Sequence, residues 1–248
     1  MQKIKILVWP KKNVYFCLAL VILLILLITL ISLQFRIMED TFDATGKTIV
    51  IDPGHGGIDG GTHTDRLLEK DINLEVSKKL RNLLTDMGYQ VILTRDEDIA
   101  LDHLSDTGKN RHQRDLNARV QIINNSNAQL FLSIHVNCNF KNPSASGSIV
   151  FYGDRFSENK ELAYAIQRAL NAIEINGKKR TVHDPVLSNR YYLLNHSKIP
   201  GAIVEVAFIS NTTECRMLEG SAFRDELAKA IAEGVSKYLI QLEKTKSN

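Results

Sequence analysis

Between Val14 and Leu33 only Thr29 and Ser32 are not apolar, and no residue is charged. As a helix rising 1.5 Å per residue, a run of this length matches a bilayer core about 30 Å thick. A buried core helix is the alternative reading, but the short segment before the run cannot cover it. Lys3, Lys5, Lys11 and Lys12 stand just ahead of it, and by the positive-inside rule they keep the N-terminus cytoplasmic and send everything after Arg36 outward. The run exceeds the roughly 7–15 apolar residues of a cleaved signal, and no small-x-small site follows, so a retained anchor is expected. The expected division is a cytoplasmic tail at 1–13, a transmembrane signal-anchor at 14–33, a linker at 34–46 and one folded domain at 47–243.

Composition narrows the class of that domain. The formal net charge is +3, and four lysines belong to the tail, so the outer part carries no basic field of the kind nucleic acid demands. Cys17 lies inside the apolar run, which leaves Cys138 and Cys215. Two cysteines do not make a disulfide framework, and an apolar core must hold the fold.

Beyond the linker, β-branched runs alternate with helical periods, without an internal repeat. Thr48–Asp52 reads as a strand stopped by Pro53-Gly54. Ile72, Val76, Leu80, Leu83 and Met87 recur every three or four residues, and Gly88 follows, predicting a helix over 70–87. Strands are expected at 89–94, 130–135, 147–152, 191–194 and 202–208, and helices at 116–126 and 159–173. A closing helix from about Ser221 places Phe223, Leu227, Ile231, Val235, Tyr238 and Leu242 on one face. The expected class is α/β: a mostly parallel central sheet with helices on both faces, preceded by one transmembrane helix.

Ligands of such sheets bind beyond the carboxyl ends of the strands. His55 follows the first strand in the glycine-rich stretch Asp52-Pro53-Gly54-His55-Gly56-Gly57; alone, a loop histidine is more often idle than a ligand. Glu69 opens the first helix, where interaction with the helix dipole would explain it. His135 closes the strand Leu130–His135 and could simply be a hydrogen-bonded imidazole. Glu205 has no such explanation, because it lies inside Ala202–Phe208, where neither face of the sheet is watery and an unpaired carboxylate is strongly penalised. Taken together, two histidines and a glutamate form a ligand set used by catalytic zinc, and a second glutamate would be the general base.

These residues carry a family resemblance. From Ile49 to about Leu239 the chain resembles the zinc-dependent N-acetylmuramoyl-L-alanine amidases of the amidase-3 type. Val50–Gly57 is similar to the family's first signature, with His55 at a zinc-ligand position; Glu69 falls at the second and His135, in Leu132–Asn137, at the third. Ile203–Asn211 is similar to the closing signature, in which Glu205 is the catalytic glutamate. Leu93-Thr94-Arg95, Leu116–Arg119 and Asn124 also fit. Cys138 stands where the family usually has alanine, and Ala207 where it has glycine; Cys138 is read as a small packed hydrophobe rather than a ligand.

The resemblance implies zinc-dependent hydrolysis of the amide between the lactyl group of muramic acid and L-alanine in peptidoglycan. Tyr191–Leu194, Ile199-Pro200-Gly201 and the anchor are most similar to the spore-cortex, CwlD-type branch, which implies a first step toward muramic-δ-lactam and a catalytic domain on the cell-wall or cortex side of the membrane. No wall-binding module is evident, so targeting would depend on the anchor or on a regulatory protein partner. Arg95 and Arg119 are open between binding peptide carboxylates and a structural role. The competing functions are a zinc carboxypeptidase acting within the stem peptide and a noncatalytic wall-binding protein.

Overall fold

The computed structural model describes residues 15, 20–30, 32, 48–175 and 177–246, and the chain divides into two compact units, Met1–Thr45 and Gly46–Asn248. In the first, residues 20–30 are helical and exposed. Thr29 Oγ1 donates to Leu26 O at 2.8 Å and Ser32 Oγ to Thr29 O at 2.9 Å, so both hydroxyls of the apolar run turn back on the backbone. Among the described residues no helix is long and apolar enough to cross a membrane. The expected tail at 1–13 and linker at 34–46, and part of the expected span at 14–33, lie outside the described residues.

In the second unit the chain runs β1 (Thr48–Pro53), α1 (Glu69–Asp86), β2 (Gln90–Leu93), α2 (Arg111–Asn125), β3 (Leu130–Asn137), β4 (Ile149–Tyr152) and α3 (Glu158–Asn171). After these come the two-residue strands β5 (Glu174–Ile175), β6 (Lys178–Lys179) and β7 (Val186–Leu187), then α4 (Tyr192–His196), β8 (Gly201–Phe208), α5 (Thr212–Glu219) and α6 (Ser221–Lys246). The main sheet has the order β2-β1-β3-β8-β4-β7. Strands β2, β1, β3 and β8 are mutually parallel, whereas β4 is antiparallel to β8 and β7 follows β4. This is the α/β class expected, with one reversal at β4.

Side-chain alternation along each strand feeds two cores. Ile49, Ile51, Leu132, Ile134, Ala202 and Val204 pack with Val76, Leu80, Ile166, Leu227 and Ile231 of α1, α3 and α6. On the other face Val50, Phe131 and Ile203 pack with Ile123 of α2 and Leu193 and Leu194 of α4. Truncating a fully buried leucine such as Leu80 would cost about 2–5 kcal/mol. All of β8 is buried on both faces, and within it Glu205 pairs with His135 of β3 just before a bulge between His135 and Asn137. A bulge beside a site re-aims side chains at the strand end.

Several elements differ from expectation. Helix α2 begins at Arg111 rather than 116, because Asn110 caps it by accepting from Gln113 N at 2.9 Å, a signal that apolar periodicity cannot register. Residues 191–194, expected as a strand, turn into α4: Leu193 and Leu194 are both buried, which a strand's alternation forbids on a single covered face, and Ser197 N closes onto Leu193 O at 3.0 Å. Helix α5, capped by the Asn211 side chain, stands between β8 and α6.

Candidate metal centre

Strand β1 ends at Pro53, and the chain then enters the left-handed region at three successive residues, His55 (φ 61°), Gly56 (137°) and Gly57 (58°). A histidine held there costs roughly 1–3 kcal/mol and persists only when its surroundings fix it. Arg119 donates to Pro53 O (2.8 Å) and His55 O (2.6 Å), and Arg95 to Pro53 O (3.0 Å) and Gly54 O (2.9 Å). Lys70 Nζ closes the far side by donating to Gly57 O at 2.8 Å. Both arginines are 2% exposed, so they are spent on the backbone of the His55 loop. Of the two roles left open for them, the structure selects the structural one.

Three side chains meet at this end of the sheet. Glu69, the first residue of α1, places Oε1 3.2 Å from His55 Nε2 and 3.0 Å from His135 Nδ1. The donor atoms of His55, Glu69 and His135 all lie within 4.8 Å of one another. Glu69 is fixed from behind: Oε2 accepts from Thr62 N at 2.8 Å, and Oε1 from Val136 N at 3.2 Å. The loop makes this approach possible. A β-carbon on Gly54 would lie 2.2 Å from His135 Cε1, so only glycine lets the imidazole in.

Asp59 was not singled out in the sequence. Its Oδ2 lies 3.0 Å from His55 Nδ1, which selects the tautomer that leaves Nε2 free to bind a cation, the carboxylate–histidine arrangement common behind metal ligands. The signal for it was a carboxylate four residues after a loop histidine, visible only if the loop folds back. Cys138 is half-buried against the apolar core and is not part of the group.

Glu205 stands next to this trio through its pairing with His135. It is 9% exposed, and its Oε2 is buried without a hydrogen-bond partner. An orphaned carboxylate oxygen beside two imidazoles and a second carboxylate is the donor chemistry of a hydrolytic metal site, so these residues fit a divalent ion such as zinc. Burial is the largest influence on Glu205; His135 and His55 oppose it, Glu69 adds to it, and its carboxyl is pushed up to about 7. Burial disfavours a charged His55, but hydrogen bonds and charge from Glu69 and then Asp59 prevail and raise it to about 9. Burial likewise works against ionised Glu69, and the two histidines overcome it, holding the carboxyl well below its usual range.

A cleft of about 240 Å³ opens at His55 and His135, and its lining includes His112, Arg190, Tyr191 and Tyr192. A family model described as N-acetylmuramoyl-L-alanine amidase matches residues 49–237. The chain belongs to this amidase family, Amidase_3. Among relatives of the amidase chain, the germination-specific N-acetylmuramoyl-L-alanine amidase of Bacillus subtilis is 37% identical over 200 residues, covering 79% of this chain and 81% of the relative. N-acetylmuramoyl-L-alanine amidase AmiA of Escherichia coli is 29% identical, covering 82% and 79%. The solved CwlD amidase of Clostridioides difficile, in complex with the GerS lipoprotein, superposes with a TM-score of 0.70 at 36% identity, covering 78% of this chain and 98% of that one. The amidase match thus spans every residue of the group from His55 to Glu205.

Proposed function

We propose that the chain is a membrane-anchored zinc amidase that cuts the bond between the lactyl group of N-acetylmuramic acid and L-alanine of the stem peptide. The observation that carries this reading is the convergence of His55, Glu69 and His135 beside the unpaired Glu205 carboxyl, in a chain of the amidase family. His55, Glu69 and His135 would hold the zinc, which when bound supplies Lewis-acid activation of water and of the scissile carbonyl.

The protein's own groups do the rest. Asp59 fixes the His55 ring, and the Arg95 and Arg119 contacts fix its backbone. Glu205, whose carboxyl burial pushes up to about 7, takes a proton from the attacking water as the C–O bond forms. It returns that proton to the alanine nitrogen as the C–N bond breaks. Ser133 and Thr94, both bonded to Asp52, keep the floor of the cleft rigid.

The apolar run 14–33 supports an anchor that holds the domain at 47–243 on the outer side of the membrane. The B. subtilis germination-specific relative supports a role in spore cortex, where the cut would be a first step toward muramic-δ-lactam. The C. difficile neighbour, solved with a lipoprotein, supports a protein partner for targeting or regulation.

The test is mass spectrometry of peptidoglycan fragments digested by the full chain with zinc and with chelator. Zinc-dependent release of intact stem peptides beginning at L-alanine is expected. Release of terminal amino acids alone would make the protein a carboxypeptidase instead.

A further inference from the structure

The charged side chains lining the cleft are almost all committed. Asp52 accepts from Arg119, Thr94 and Ser133. Asp115 accepts from Arg119 at 2.6 Å and from Leu101 N at 2.7 Å. Asp59 is taken by His55. Arg190 differs: it is exposed, it lines the cleft next to Tyr191, and among the described residues it makes no hydrogen bond or ion pair. Its neighbours are occupied elsewhere, since Tyr192 Oη donates to Asn117 Oδ1 at 2.6 Å and the Tyr191 ring packs on Phe151 with centroids 5.0 Å apart.

We propose that Arg190 is a specificity-determining residue that binds a carboxylate of the peptide half of the substrate and so sets the direction in which the substrate lies. The proposal rests on the amidase reading above. Its logic is charge complementarity across the scissile bond. On the acyl side the lactyl carboxyl is consumed in the amide, and the sugar presents only hydroxyls and an acetamide, all neutral. On the amine side every stem peptide carries carboxylates. An uncommitted guanidinium on one wall of the cleft therefore matches one half of the substrate and not the other, and a planar fork is well suited to a carboxylate. Arg190 lines the same cleft as His55 and His135, so the carboxylates it meets are those nearest the scissile bond, on the residue after the alanine. The peptide then leaves past Arg190 and Tyr191, and the glycan lies toward the opposite side.

The test compares two small substrates, N-acetylmuramoyl-L-alanyl-D-glutamate and its neutral diamide, with the full-length zinc-loaded protein. The wild type should favour the acid in kcat/KM by about fivefold, as an accessible ion pair allows, and added salt should shrink the preference. The preference should reside in KM. In Arg190→Ala the acid-to-diamide ratio should fall to about one, Arg190→Lys should keep part of it, and Arg190→Glu should invert it, as a charge-reading site requires. A residue that merely shaped the loop would lower both substrates together and leave the ratio unmoved, and that outcome overturns the proposal. So does a wild-type ratio of one. If the wild type cleaves neither substrate nor whole peptidoglycan, the amidase reading itself fails and takes this one with it.

Discussion

Two buried polar clusters flank β3, one around Asp52 of β1 and one around Glu205 of β8, built from the same kinds of residue. Around Asp52 both carboxylate oxygens are used: Thr94, Ser133 and Arg119 donate to it at 2.6–2.7 Å, and Arg119 is shared with Asp115. Around Glu205 the account does not close, because Oε2 has no donor although it is buried. A closed cluster can only hold shape. An open one, with two imidazoles and a carboxylate converging beside it, retains capacity for a cation and a proton. The difference teaches that burial of charge does not by itself mark function: Asp52 is the more buried of the two, at 1% against 9%, and what sets Glu205 apart is its unpaired oxygen.

The sharpest way to break the comparison is to remove the lone carboxylate. Glu205→Gln should lower kcat by about 10²–10⁴-fold, the range of general acid–base catalysis, with bound zinc and circular dichroism unchanged and thermal stability equal or higher. His135→Ala should lose both activity and bound zinc by elemental analysis. Glu205→Gln with full stem-peptide release would remove the proposed mechanism.

The closed cluster should behave in the opposite manner. Arg119→Ala strips the partner from two buried aspartates and releases the His55 loop. It should cost about 3–5 kcal/mol, or a melting point lower by roughly 10 °C. A variant as stable as the wild type would show that the cluster is not what holds the loop.

Between these lies Asp59, which belongs to the open cluster without being a proposed ligand. Asp59→Asn should weaken zinc affinity by roughly 10–100-fold, the usual cost of losing an outer-shell carboxylate, while leaving the melting point of the metal-free protein nearly unchanged. Competition with a fluorescent chelator would measure it, and unaltered affinity would make the Asp59 contact incidental.

What the sequence could reveal of these clusters depended on reach. His55, His135 and Glu205 were legible because each terminates or interrupts an apolar run, and the strand itself supplies the direction. Glu69 was visible only as a helix start, since its turn toward the histidines depends on the 60–68 loop. Asp59 and the arginines act across elements or through backbone carbonyls, and no periodicity encodes which carbonyl a guanidinium will find. The misread stretch 191–194 has the aromatic and branched residues of a strand, and only its two adjacent buried leucines, a tertiary fact, make it helical. The main sheet was legible for the reason its register is firm: a one-residue slip would carry Ile49, Leu132 and Val204 together out of one core and into the other.

The finest test separates the clusters by pH in the metal-free protein. Burial works against ionised Asp52, but the charge of Arg119 and the hydrogen bonds from Ser133, Thr94 and Arg119 prevail and hold it below 3.8. A depressed carboxyl adds stability that is present above about 3.8 and lost as pH falls through its folded value. His55 has the opposite sign. Its folded value of about 9 lies above 6.5, so its contribution is complete below pH 6.5 and is lost as pH rises through 9. With the ring 23% exposed, solvent screening leaves an effect on the order of 1 kcal/mol. Denaturant midpoints across pH in chelator should therefore fall on the acid side through Asp52 together with Glu69, and on the alkaline side through His55. Zinc should flatten the alkaline limb, because an imidazole holding a metal has no proton to lose there. An alkaline limb unchanged by zinc would mean that His55 does not hold the ion, and the open cluster would then need another occupant.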